Sequence, residues 1–114
     1  MALATIDFRF SNNETWRRSF SVTRNGAPID LQSAELRMDI AQRDKLSEVV
    51  LRLSSGSGLV VTDAAAGEFD LVVAHERTRD LRPGEYAYDM LIILPNEVVR
   101  PFSGLVTVVQ GVTR

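Results

Sequence analysis

Apolar residues recur at every second position in one segment after another, and this periodicity restricts the fold more than any other feature of the chain. Thr5 to Phe10 sets Ile6, Phe8 and Phe10 against Asp7 and Arg9. Thr15 to Thr23 repeats the pattern with Trp16, Phe20 and Val22, broken at Arg18. Ala34 to Ile40 places Ala34, Leu36, Met38 and Ile40 opposite Glu35, Arg37 and Asp39. Glu48 to Leu53 and Glu68 to Val73 follow suit. Side chains of a strand point alternately to its two faces, so each segment reads as a strand with one buried face. Turn chemistry separates them: Asn25-Gly26 with Pro28 just beyond, Ser54 to Gly58, Asp63 to Gly67, and Pro95-Asn96-Glu97. Regular strand–turn spacing predicts an all-β fold of about 7–9 strands, a β-sandwich or barrel. Ala74 to Leu81 lacks the alternation and precedes Arg82-Pro83-Gly84, so one short helical turn is expected near 75–81. Ala41 to Ser47 reads as a polar hairpin loop. No linker, repeat or low-complexity tract divides the chain, and the expectation is a single β-sandwich domain over 1–114.

Composition supports a folded domain and narrows its chemistry. With 114 residues, 45% of them hydrophobic, the chain buries roughly 65% of its unfolded surface without metal or disulfide staples. There is no Cys and one His, too few ligands for a zinc centre. Thirteen basic and fifteen acidic residues leave a net charge of −2, so no basic footprint for nucleic acid is expected. No apolar run reaches the ~20 residues that span a bilayer. Met1-Ala2-Leu3-Ala4 shows no secretion signal, so an unsecreted protein is expected.

Two local features are more specific. In Gly84-Glu85-Tyr86-Ala87-Tyr88, Tyr86 has the spacing of a corner tyrosine, whose hydroxyl bonds back to the backbone before its strand. Tyr88 reads as a core residue sharing a face with Met90 and Ile92. The last hairpin is apolar on both faces. If Pro95-Asn96-Glu97 sets Leu94 opposite Val98, Ile92 pairs with Arg100, Met90 with Phe102, and Tyr88 covers Gly104. The opposite face then carries Leu91, Ile93, Val99, Pro101, Leu105 and Val109. An outward sheet face is ordinarily polar. A contiguous apolar one marks a protein partner or self-association, unless the Ser54 to Gly58 loop or the N-terminal strand covers it.

Catalytic constellations are missing from the sequence. His75-Glu76-Arg77-Thr78-Arg79 has Arg79 where a metalloprotease helix needs its second His. Ser55-Gly56-Ser57-Gly58 is not a nucleophile elbow. Asp39, Asp44 and Asp63 lack calcium-loop spacing. Of the basic residues only Arg17 and Arg18 are adjacent, with no aromatic interleaving. The expectation is a non-enzymatic chain without cofactor, metal, nucleic-acid or membrane partner. A carbohydrate- or receptor-binding sandwich is the alternative, and it requires Trp16, Tyr86 or Tyr88 to face solvent.

The motifs Asn25-Gly26-Ala27-Pro28-Ile29-Asp30-Leu31, Leu36-Arg37-Met38-Asp39-Ile40 and Gly67-Glu68-Phe69-Asp70-Leu71 resemble those of a known family, as do Gly84 to Met90 and Ser103 to Val109. The chain is similar to phage- and prophage-encoded immunoglobulin-like β-sandwich proteins of the tail and baseplate region, including the immunoglobulin-like domain of baseplate upper proteins. The resemblance implies an all-β, immunoglobulin-like antiparallel β-sandwich of about 7–9 strands and a structural protein of a tail, baseplate or connector. It implies virion assembly with other virion proteins or with a second copy, and it carries over no catalytic residue. Antibody hallmarks are absent: there is no disulfide, and Trp16 falls in the second predicted strand rather than the third.

Overall fold

A computed structural model describes residues 4–111. The strands are β1 (Ala4–Thr5), β2 (Phe8–Ser11), β3 (Trp16–Ser21), β4 (Thr23–Arg24), β5 (Ala27–Pro28) and β6 (Glu35–Gln42). They continue as β7 (Lys45–Ser55), β8 (Gly58–Asp63), β9 (Glu68–Val73), β10 (Gly84–Ile93), β11 (Val98–Val99) and β12 (Phe102–Val109). One helical turn, α1 (His75–Thr78), lies between β9 and β10. It falls inside the span expected for it, and the all-β class holds.

Ten strands form one curled sheet in the order β12, β10, β6, β7, β8, β9, β3, with β1 and β2 on the free side of β12 and β11 beside β10, while β4 and β5 pair separately. The two ends of this path face each other. Phe8 and Phe10 of β2 meet Trp16 of β3, and Phe20 of β3 stacks on both Phe69 and Phe102. Between them lie Leu36, Met38, Ile40, Leu53, Leu71, Met90, Ile92 and Val106, all essentially inaccessible. These are the inward members of the alternating segments, and each contributes about 1.5–3 kcal/mol by leaving water.

Sequence reasoning expected antiparallel strands, whereas the sheet is mixed. β1 and β2 run parallel to β12, and β7 runs parallel to β8 at Ser54↔Gly58 and Ser55↔Leu59. In the first case the paired strands come from opposite ends of the chain, so no short connection dictates their direction. In the second the chain steps sideways instead of reversing. Gly56 and Gly58 adopt positive φ there, and a Cβ on Gly58 would lie 2.7 Å from Leu53 Cδ2. The Asn25-Gly26 turn behaves as its residues predict, with φ of 52° and 80° closing the β4–β5 hairpin.

Arg18, the residue that breaks the alternation of β3, occupies an inward position at the seam between β3 and β2. Its guanidinium lies 5.8 Å from the centre of the Phe8 ring. An inward charge on an edge strand discourages further strands from adding there.

Two buried tyrosines tie the chain across itself. The Tyr86 hydroxyl donates to the Arg82 carbonyl at 2.6 Å, the corner geometry expected from its spacing. The Tyr88 hydroxyl donates to the Ile6 carbonyl, where β1 and β2 part at Ile6-Asp7. The Asp7 carboxylate repairs that gap by accepting the Leu105 N–H at 2.9 Å. Gly104, which pairs with Tyr88, is required beneath this crossing because a Cβ would lie 2.3 Å from the Ile6 oxygen.

Burial pushes both phenols above their ordinary value of 10.0, Tyr88 the further, with the Asp7 carboxylate adding to its rise. A phenol that ionises less readily folded than unfolded gives stability that is whole below the unfolded value and declines above it. Thermal stability is therefore expected to fall as pH rises past 10, with the Tyr88 phenolate absorbance appearing as the chain unfolds and that of Tyr86 delayed above its ordinary range. A free titration of both near the ordinary value would contradict this.

Candidate functional site

The outward surface of β6, β10 and β12 is the candidate interface. β10 turns Tyr86, Tyr88, Met90 and Ile92 into the core and leaves Ala87, Asp89, Leu91 and Ile93 outward and half-buried. Leu105 and Val109 of β12 are likewise outward and half-buried. β1 and β2 lie beside β12 in the sheet, not across its outer side.

One expected member of this surface is misplaced by the sequence reading. Tyr88 pairs with Gly104 as expected, but Ile92 pairs with Val99 and Ile93 with Val98. One extra residue is accommodated at Arg100–Pro101, a bulge where proline has no N–H to give the ladder. A one-residue slip exchanges faces. Val99 therefore belongs to the core at 3% exposure, and Val98 takes its outward place at 61%. Pro101, at the bulge, is half-buried.

The apolar surface is also divided. Leu91, Ile93 and Val98 lie near the Pro95 turn, while Leu105 pairs beside Ala87, which in turn faces Ala41. Between the two zones Asp89 stands opposite Asp39. Like charges directly opposed across strands repel. Each is answered by an arginine: Arg100 Nε is 2.7 Å from Asp89 and Arg52 Nε is 3.3 Å from Asp39. These pairs are well exposed, so each contributes at most about 1 kcal/mol. Their main effect is to fix a charged band across the sheet.

Beside that band lies a largely apolar groove of about 530 Å³ whose walls include Ala41, Leu46, Val49, Ala87 and Arg100. Its upper wall is the β6–β7 hairpin, where two register shifts bend β7 and leave Leu46 65% exposed. The Ala41 to Ser47 segment is the tip of this hairpin. Sequence reasoning did not select Leu46 or Val98. The signal for Leu46 was a lone large apolar residue inside a polar loop.

Residues considered for chemistry stay apart. His75 is exposed on α1, with Nε2 2.7 Å from Glu76. The Asp63 carboxylate accepts the Ala66 N–H within its own loop. Among the described residues no three His, Cys, Asp or Glu side chains are grouped to hold a metal ion. No helix among them is long and apolar enough to cross a membrane. Trp16, Tyr86 and Tyr88 are all buried, and the remaining aromatic residue outside the full core, Phe20, is partly buried against it. The aromatic platform that a glycan reading requires is therefore not on the surface.

Thr78 and Asn12 were also unforeseen. Thr78 is inaccessible, and its hydroxyl donates to the Glu14 carbonyl at 2.7 Å. Asn12 donates to the Leu81 carbonyl at 3.2 Å and accepts the Gly111 N–H at 3.0 Å. Both hold the corner that carries Tyr86, a structural role.

No protein-family model matches the chain, and no curated protein matches it. Among solved structures, it is similar to the N-terminal domain of phage TP901-1 ORF48. The TM-score is 0.47 and the sequence identity 15%, covering 92% of this chain and 84% of that one.

Proposed function

We propose that this chain is a non-enzymatic interaction module of a phage or prophage particle, in its tail, baseplate or connector, acting by protein–protein assembly. The phage assignment draws on the turn and strand motifs that resemble tail and baseplate sandwich proteins. The observation carrying the assembly role is the outward apolar zone formed by exposed Val98 and half-buried Leu91 and Ile93. Leu105 and Val109 extend it beyond the charged band, and the half-buried Pro101 lies at the bulge between β11 and β12. Burying such a zone against another virion protein releases water from apolar carbon, while the band of Asp39, Asp89, Arg52 and Arg100 fixes orientation.

Leu91→Asp tests this reading. Co-purification with the products of neighbouring genes, followed by titration of any that bind, is expected to show at least about a tenfold loss of affinity, or 1.4 kcal/mol. Folding stability should change far less, because Leu91 lies outside the core. A variant that binds every partner as the parent does would remove the zone from the interface.

A further inference from the structure

The sheet has a second outward face, on β3, β9 and β8, which shares no residue with the interface proposed above. Arg17 pairs with Val72 at one end, Ser19 with Asp70 in the middle, and Ser21 with Glu68 at the other end. Val60 of β8 sits beside Asp70, 50% exposed, and Asp63 beside Glu68. The face thus runs from a cation to carboxylates along roughly 14 Å, four residues of strand. Neither Arg17 nor Glu68 nor Asp70 forms an ion pair among the described residues. At its acidic end is a shallow depression of about 380 Å³ lined by Ser19, Phe20, Ser21, Thr62, Glu68 and Asp70.

We infer that this face binds a second copy of the chain, with Arg17 of each copy seated in the other's depression. The argument is charge complementarity. A surface positive at one end and negative at the other complements itself when a copy is turned over about a two-fold axis crossing the strands. Such an axis sets each positive end over the opposing negative one and makes both contacts at once. The depression has the chemistry for a guanidinium: two carboxylates to accept charge-assisted hydrogen bonds and three hydroxyls to accept further ones. Ser19 and Ser21 are short, so the sheets can approach closely. Three strands of this length cover far less than the ~800 Å² per partner of a stable interface. The pair is accordingly weak alone, sensitive to salt, and strengthened when many copies are held close together.

The test divides the two charges between chains. Arg17→Asp gives a face that is acidic throughout, and Asp70→Arg puts a cation into the depression and leaves Glu68 as its one carboxylate. Both positions are on a solvent face, and circular dichroism of each variant checks that it folds. Sedimentation equilibrium at low salt and high protein concentration is expected to show dimer for the parent chain and monomer for each variant alone. The equimolar mixture of the two variants should form a mixed dimer, and about 0.5 M salt, where the Debye length is a few Å, should dissociate it. A parent chain that stays monomeric, variants that dimerise like the parent, or a mixture that fails to associate would each overturn the inference. None of these outcomes bears on Leu91, so the two faces are tested separately.

Discussion

Gly104→Ala is expected to lower the unfolding free energy by about 3 kcal/mol, the upper part of the range for overpacking a filled site. The new methyl would lie 2.3 Å from the Ile6 oxygen and 2.7 Å from the Asp7 carboxylate. The first of these is main chain and cannot swing aside. If residues 6–7 move outward, the Tyr88 hydroxyl loses its acceptor and the Leu105 N–H loses Asp7. The Tyr88 hydroxyl left without an acceptor costs a further ~1–3 kcal/mol, whereas the exposed Leu105 N–H can turn to water. The effect is read from the midpoint of urea denaturation. Gly26→Asn is the comparison: nothing lies within 4 Å of a Cβ there, and asparagine tolerates the positive φ of that turn. Equal midpoints for the two variants would show that the crossing over Gly104 is not rigid.

Trp16→Ala is expected to cost about 3–5 kcal/mol, as for other large aromatic residues truncated in a core. Its ring stacks on Phe10 at 4.5 Å and meets Phe8 edge-on at 5.5 Å, joining the two ends of the sheet path. Removing it opens a cavity at the seam where no backbone ladder joins β2 to β3. One contribution opposes the loss: the buried indole Nε1 has no hydrogen-bond partner among the described residues. Trp16→Phe, which removes that orphan and keeps most of the packing, should therefore be the milder change. Tryptophan fluorescence of the parent and urea midpoints of the two variants provide the measurement. A phenylalanine variant that loses as much as the alanine variant would mean that the indole itself, and not aromatic area, holds the seam.

What could be read from the sequence was local. The buried faces of β6, β9 and β10 follow directly from alternation, because the period of a strand is independent of its partner. The Tyr86 corner was legible for the same reason: donor and acceptor are four residues apart. The parallel pairing of β1 and β2 with β12 was not. It joins residues nearly a chain length apart, and nothing in either segment encodes the direction of the other. β8 was missed because Leu59, Val60 and Val61 form an apolar run without alternation, of which only Leu59 is fully buried.

The candidate interface was legible to the same extent. Leu91 and Ile93 lie outward because β10 alternates without a break. Val98 and Val99 exchanged places because a bulge intervenes, and the hint was Pro101, a residue that cannot serve a ladder. The division of the apolar surface by Asp39 and Asp89 depends on the register between β6 and β10, which two separate alternating segments do not reveal.

The position of β2 beside β12 has a consequence for biogenesis. As the polypeptide leaves the ribosome, β2 must wait for β12, about a hundred residues later, before its ladder can form. Until then Phe8 and Phe10 have no permanent shelter, and the nascent chain relies on transient collapse or a chaperone to keep them out of solvent. Closure of β2 on β12 is a late, high-contact-order step, which slows folding and makes the chain aggregation-prone until it is complete.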